Sequence, residues 1–372
     1  MAEFEVVDQA AGLFEKSSGC LLHRDPVAGK CKVLALGRWK NSLQQEDIQF
    51  PYMKLSPQLS MVGVELASSW QATRKINCDE LKDRVKNTIG SWRSGKHMPL
   101  VCRPFSLNSY CLSKIWFRTG SIDLRQGDIQ DISSKCKSWC YQPLLQKPSE
   151  VILYREVEQG GLGLHHVQSK AMAHLISTFL QTAASSRFIQ SLFHSQLYRY
   201  HVLDETDLPD PGYTPYYSQS FFNIIKKVKT NTPLNPVHMT TKEWYRFLLE
   251  ENITMREVDA DGRRELVPCR VEDHAPEVSW SESYRLLRLK GLCPEQKSLL
   301  LKLVHELLTT KERVNNIIPT TNPACLLCQD NTPETYYHTF FTCSSNKESG
   351  EALLHCAKTY APALTARGLL KL

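Results

Sequence analysis

The residues best suited to chemistry lie late in the chain, where Cys325, Cys328, His338 and Cys343 follow a C-x2-C-x9-H-x4-C spacing. Thiolates and imidazole are the ligands that zinc prefers, and a closed structural site takes four of them. The spacing therefore predicts a structural Zn²⁺ site. Since protein atoms would fill all four positions, none is left for the water nucleophile of a catalytic zinc. The alternative interpretation is two buried half-cysteines and a surface histidine, because a chain with 13 cysteines contains a C-x-x-C pair by chance.

Aromatic side chains border this cluster, at Tyr336, Tyr337, Phe340 and Phe341. Such rings either pack around the metal or stack on unpaired bases of a nucleic acid. Packing is the simpler expectation, and the sequence leaves both interpretations open.

Catalytic motifs are otherwise missing from the sequence. The run GGLGL at 160–164 lacks the Lys-Ser/Thr of a phosphate loop and the third glycine of a dinucleotide fingerprint. Backbone turning is its predicted role. The sequence contains no Asp-Asp pair, G-x-S-x-G or H-E-x-x-H motif. We therefore expect a protein that is not an enzyme and that has no small-molecule substrate.

Composition is ordinary for a globular protein, with 42% hydrophobic and 23% charged residues. A formal net charge of +6 permits a polyanionic partner without requiring one. The cysteines are odd in number and scattered, which favours reduced thiols and an intracellular compartment. The sequence shows no apolar leader and no apolar run of membrane-spanning length. A nuclear or cytoplasmic location is predicted, without secretion and without a membrane partner.

Apolar periodicity predicts a mainly α protein with minor β structure. Leu81, Val85 and Ile89 recur at helical spacing within 79–93, and a longer helical pattern covers 166–200. Asp261-Gly262 lies between two alternating runs and predicts a hairpin.

Further elements are predicted on both sides of that hairpin. The run 61–66 is a strand candidate, 244–249 a short helix and 280–308 a helical stretch. Within that stretch, 299–308 is apolar nearly all round and should be buried. Thr309 and Glu312 match the capping box that starts a further helix.

The order of several segments resembles the C-terminal half of a LINE-type (non-LTR) retrotransposon reverse transcriptase. The segments that carry the resemblance are FEKSSGCLLH at 14–23, CKVLALGRW at 31–39, SMVGVEL at 60–66, SWRSGKHMPLVCRPFSLNSYCLSKIWF at 91–117, KPSEVILYREVEQGGLGLHHVQSKAMA at 147–173, and LLTTKERV at 307–314 followed by the Cys/His cluster. Residues 200–275 match only loosely.

The resemblance implies four regions along the chain. Residues 1–70 would be a remnant of the palm edge with short strands, and 71–200 the thumb-like and connector helices. Residues 201–275 would be a linker with a short helix and a hairpin. Residues 276–372 would form a helical module that ends in the Cys/His zinc knuckle.

The family's polymerase chemistry needs an Asp-Asp pair that holds metal ions, and that pair is missing here. The endonuclease of the family is missing too, and His23 stands where the family usually has Asn. The resemblance therefore implies a truncated element, expected to begin downstream of the catalytic aspartates, that binds RNA, an RNA–DNA hybrid or DNA without catalysis. Six positions on the thumb-like segment are predicted to contact phosphates: Lys82, Lys86, Arg93, Lys96, Arg103 and Lys114.

Two alternatives remain open. The chain could be a relic without selected activity, in which strands separated from their sheet expose unpaired edges. It could also be a protein-interaction scaffold that docks through the helix at 299–308.

Overall fold

The computed structural model shows a mainly helical protein with a few short strands, as the sequence predicts. The structure describes residues 31–36, 40–48, 52–92, 97–142, 144, 147–185, 238–257, 264–267, 291–328 and 330–360, together with scattered positions in 6–17, 224–228 and 280–284.

The described helices and strands follow one another along the chain. The strands are β1 (Cys31–Val33), β2 (Met53–Leu55), β3 (Gln58–Met61), β4 (Val64–Ala67), β5 (Met255–Glu257) and β6 (Arg264–Leu266). The α-helices are α1 (Trp70–Ser91), α2 (Cys102–Ser106), α3 (Ser113–Thr119), α4 (Gln126–Tyr141), α5 (Glu150–Tyr154), α6 (Val167–Ser185), α7 (Thr241–Leu249), α8 (Pro294–Val304), α9 (Lys311–Ile317) and α10 (Lys347–Tyr360). Short 3₁₀ turns lie at Gln45–Asp47 and Val157–Gln159, and π-helical turns at Leu107–Leu112, Glu250–Thr254 and His338–Thr342.

The chain divides into two compact units, and each is discontinuous in sequence. The first comprises Met1–Arg84, Ile115–Ile129 and His174–Met239, and the second comprises Val85–Lys114, Gln130–Ala173 and Thr240–Leu372. The four consecutive regions that the resemblance implies stay a prediction.

The strands form two-stranded ladders rather than one sheet. Strand β1 pairs in parallel with β2, while β3–β4 and β5–β6 are antiparallel. The hairpin predicted around Asp261-Gly262 is confirmed by the β5–β6 pairing, although its turn at 258–263 lies outside the described residues.

The single strand predicted over 61–66 is wrong. The run turns at Val62 and Gly63, whose φ angles are +50° and +78°, and pairs Met61 with Val64. Two consecutive residues with positive φ make the tight turn whose twist matches antiparallel strands, and glycine adopts that conformation without steric cost. The segment is therefore the tip of the β3–β4 hairpin.

Helix α1 is held to this hairpin by buried polar side chains. The amide of Asn77 is buried, accepts from the Glu65 N–H at 3.0 Å, and donates to the Glu65 carbonyl at 2.6 Å. Thr73 accepts from the Ala67 N–H at 2.8 Å. The predicted apolar face is confirmed at Leu81 and Val85, which are both buried.

The helical stretch predicted over 280–308 is interrupted. Residues 291–293 are not helical, and α8 begins at Pro294 and ends at Val304. Proline suits the first turn of a helix because its missing N–H would be unpaired there in any case. The burial predicted for 299–308 holds for Leu301 and Leu307, whereas Leu299 is 49% exposed.

The capping box predicted at Thr309 and Glu312 is wrong. Helix α9 takes Thr310 as its N-cap, and no side-chain hydrogen bond caps it. The Lys311 and Glu312 N–H groups are instead directed to the side chain and carbonyl of Glu334, each at 3.4 Å. Tertiary contacts thus replace the local cap.

The glycine run 160–164 turns the backbone, as predicted. Gly160 and Gly163 have φ angles of +77° and +69°, in the left-handed region. A Cβ on Gly161 would lie 2.0 Å from the Arg155 carbonyl oxygen, so only glycine permits this approach.

Candidate metal centre

Two segments of the second unit bring the four predicted ligands together. A bridge between Ala324 and Pro333 folds the first segment back on itself, and the Cys325 N–H donates to the Thr332 carbonyl at 2.9 Å. This turn places Cys325 and Cys328 side by side. The second segment is the π-helical turn His338–Thr342, after which the Cys343 N–H donates to the His338 carbonyl at 2.7 Å.

The ligand atoms of Cys325, Cys328, His338 and Cys343 all lie within 4.8 Å of one another, and all four residues are buried. The Cys325 and Cys343 sulfurs are 3.9 Å apart, and the Cys328 sulfur is 3.3 Å from His338 Nε2. Zn–S bonds of about 2.3 Å and Zn–N bonds of about 2.0 Å in a tetrahedron place two sulfurs about 3.8 Å apart, and sulfur and nitrogen about 3.5 Å apart. The cluster can hold a metal ion, and its donors and spacing are compatible with zinc.

Neighbouring groups influence the ionisation of the thiols. Burial raises the pKa of Cys325, but the backbone N–H groups of Leu327 and Cys328 donate to its sulfur, and the net pKa is lowered. The Asp330 N–H lowers the pKa of Cys328, yet burial and the thiols of Cys325 and Cys343 raise it to about 11. Neighbouring thiolates repel, so a cation between them would favour their joint ionisation.

The Thr342 hydroxyl is a hydrogen-bond partner of His338, and the spacing of the four cluster residues does not predict it. Thr342 Oγ1 lies 3.3 Å from His338 Nδ1, while Nε2 faces the sulfur of Cys328. A partner on the second ring nitrogen fixes the orientation of a metal-binding imidazole. Thr342 lies four residues after His338, on the same face of the turn.

Helix α10 packs closely on the histidine turn through a glycine. A Cβ on Gly350 would lie 1.9 Å from the Phe340 carbonyl oxygen and 3.2 Å from the Phe341 Cα. The helix therefore approaches the ligand-bearing turn backbone to backbone. Sequence reasoning missed Gly350, because a lone glycine in a helical run carries no local signal for such an approach.

The aromatic residues around the cluster mostly pack within the protein. Phe341 is buried, and its ring centroid is 5.9 Å from that of Tyr337. The Tyr336 hydroxyl donates to the Leu308 carbonyl at 2.6 Å, and the guanidinium of Arg313 lies 4.6 Å from its ring centroid. Tyr337 keeps 38% of its surface exposed.

Two of the positions predicted to contact phosphates, Lys82 and Arg103, have partners within the protein. Lys82 is paired with Asp79 at 3.0 Å and Asp128 at 2.9 Å. Arg103 is buried and donates to the carbonyls of Met98 and Cys140, each at 2.9 Å, so its guanidinium supports the local backbone.

Lys86 and Lys114 are exposed, as phosphate contacts must be. The Lys114 ammonium donates to Thr88 Oγ1 at 3.2 Å. Arg93 and Lys96 lie outside the described residues.

The fold and the site thus define a mainly helical protein with a buried Cys₃His cluster. In comparisons with protein-family models and with curated proteins, nothing matches this chain. Across the described residues, no helix combines the length and apolarity needed to cross a membrane.

Proposed function

We propose that this chain is a non-catalytic nucleic-acid-binding protein in which the Cys/His cluster holds one structural Zn²⁺. The observation that carries the proposal is the set of four buried donors that two neighbouring segments bring together. Such a closed set suits a metal that stabilises a fold, because no coordination position remains open for a reacting water. The order of the segments that resemble a non-LTR reverse transcriptase supports RNA or an RNA–DNA hybrid as the partner, with DNA as the alternative.

Charge also supports a polyanionic partner. The chain carries a net charge of +6, and the exposed Lys86 and Lys114 belong to the second unit, as the cluster does. Ammonium groups that neutralise phosphates release counterions, and such binding weakens steeply with salt. The missing Asp-Asp pair supports binding without polymerisation.

Metal analysis of the purified chain tests the ligand assignment. We expect one zinc per chain, and loss of that zinc from the double variant Cys325→Ser/Cys328→Ser. Cys293→Ser is the matched control, because Cys293 is exposed and lies outside the cluster. Unchanged metal content in the double variant would show that the ligands are assigned incorrectly.

Electrophoretic retardation at two salt concentrations tests the function. We expect retardation of RNA and of an RNA–DNA hybrid that weakens with salt. Replacing Lys86 and Lys114 with alanine should reduce the slope of log affinity against log salt by about 1.4 to 1.8. Lys242→Ala, at another exposed lysine, is the control.

A zinc-loaded chain that retards no nucleic acid would overturn the proposal, and primer extension by the chain alone would overturn its non-catalytic part.

A protein-interaction scaffold is the second candidate, and exposed leucines in the cluster's own turn favour it. Leu326 and Leu327 are 78% and 55% exposed between the first two ligands. Helix α8 presents less apolar surface for docking than the sequence predicts, because Leu301 is buried. A monodisperse zinc-loaded chain without nucleic-acid affinity would favour the scaffold, whereas an aggregated chain without zinc would favour a relic.

A further inference from the structure

An open groove of about 800 Å³ lies within the second unit, and none of the four cluster residues lines it. The end of α1, the π-helical turn Leu107–Leu112, the start of α3 and Trp139 of α4 border it. Its lining is aromatic and hydroxylated, with one lysine, and no acidic side chain occurs among the described residues that form it: Thr88, Ser91, Trp92, His97, Met98, Ser106, Ser109, Tyr110, Ser113, Lys114 and Trp139.

Flat rings form a large part of this lining. The ring centroids of Trp92 and Trp139 are 5.1 Å apart, at an interplanar angle of 54°. Tyr110 is 61% exposed, so its ring is available to a ligand. Exposed aromatic faces stack on the bases of nucleic acids without regard to base identity.

A buried donor belongs to the same wall. Trp139 is 5% exposed, and its indole N–H has no hydrogen-bond partner among the described residues. A buried donor without an acceptor costs free energy. What Trp139 contributes to the groove is therefore its ring, beside that of Trp92.

The charged group in the groove fits a phosphate. Lys114 is exposed and reaches Thr88 Oγ1 at 3.2 Å, so an ammonium and a hydroxyl lie together on one side. Further hydroxyls follow at Ser109 and at Ser113, which itself donates to the Ser109 carbonyl at 2.5 Å. Ammonium and hydroxyl donors are common partners of phosphate oxygens in nucleic-acid complexes.

We propose that this groove binds one unpaired nucleotide of a single-stranded nucleic acid, with the base on Tyr110 and the phosphate at Lys114. The inference rests on the proposed function and narrows it from nucleic acid in general to an unpaired strand. In a duplex the bases are stacked within the helix and present no free ring face to a side chain. A single strand can turn a base outward onto the tyrosine ring.

Fluorescence anisotropy with a labelled 12-nucleotide RNA and a 12-base-pair RNA–DNA hybrid tests the inference. Tyr110→Ala should weaken binding of the single strand roughly 5- to 150-fold, which is the range for one lost base stack. The same substitution should change the affinity for the RNA–DNA hybrid less than about twofold, because the hybrid binds through its phosphates. Tyr110→Phe keeps the ring and should keep the affinity.

Phe105→Ala is the matched control, because Phe105 is an aromatic residue with 67% exposure that does not line the groove. Equal weakening of both ligands by Tyr110→Ala, or no weakening of either, would overturn the groove assignment while leaving the proposed function intact. A wild-type chain that binds neither ligand would overturn the proposed function itself, and the groove assignment with it.

Discussion

At the scale of single residues, a buried carboxylate organises a charged cluster in the first unit. Asp128 is 3% exposed and accepts from Arg125 Nε at 2.6 Å and from Lys82 Nζ at 2.9 Å. Burial raises the pKa of Asp128, but hydrogen bonds from Arg125, Lys82 and Cys78 outweigh it, and the pKa falls to about 2. Lys82, a predicted phosphate contact, thus has an acidic partner inside the fold.

We expect Asp128→Asn to lower the free energy of unfolding by about 3 kcal/mol near neutral pH, because the two cations lose their buried partner. The folded pKa lies below the value of about 3.9 for an unfolded aspartate. The carboxylate therefore stabilises the fold fully above about pH 4, and that contribution is lost as the pH falls toward 2. Urea denaturation across this range should show the difference between wild type and variant narrowing with acid.

Asp131→Asn is the control for this prediction, since Asp131 is exposed on the same helix α4. Equal stability of the Asp128 and Asp131 variants at neutral pH would contradict the role assigned to the buried carboxylate.

At the scale of elements, α10 approaches the histidine turn of the Cys/His cluster closely, through Gly350. The four ligands could be predicted from the sequence because their spacing is local and their chemistry is specific. Gly350 and Thr342 could not be predicted in the same way. The importance of Gly350 arises from a backbone contact with Phe340, and that of Thr342 from the orientation of the His338 ring.

Gly350→Ala should destabilise the cluster by about 1–3 kcal/mol, because the added methyl group meets the backbone carbonyl of Phe340 and the helix must shift. Thermal unfolding and zinc retention against a chelator are the measurements. Gly90→Ala in α1 is the matched control: nothing lies within 4 Å of the added Cβ, and alanine should stabilise that helix by up to about 1 kcal/mol. Similar effects of the two substitutions would contradict the proposed close approach.

At the scale of the whole molecule, the two units are assembled from separated stretches of chain. The metal cluster belongs to the second unit, and the Asp128 cluster belongs to the first. A small module that bears metal ligands draws part of its folding free energy from the metal. If the cluster holds the proposed zinc, its removal should act first on the backbone around Cys325, Cys328, His338 and Cys343.

Hydrogen exchange before and after chelation checks this expectation. We expect amides within 324–343 to lose protection, notably those of Cys325 and Cys343, which donate to the Thr332 and His338 carbonyls. Amides in the first two-thirds of α1, packed on the β3–β4 hairpin, should keep theirs. Equal loss of amide protection in both regions would show that the metal stabilises the whole molecule. Unchanged protection in both regions would show that the metal does not stabilise the fold.

The sequence by itself determined the helical class, the hairpin at 255–266, the turning role of the 160–164 glycines and the identity of the four cluster residues. Each depends on local spacing, which a single chain displays directly. Only the tertiary structure decided that Arg103 and Lys82 have internal partners, that 58–67 is a hairpin and that α9 begins without a side-chain cap. Asp128, Cys140 and Glu334, which supply these partners for Lys82, Arg103 and α9, are distant in sequence, and their hydrogen bonds form only once the chain is packed. The hairpin is local, but its turn needs two consecutive residues with positive φ, which an alternating apolar run does not reveal.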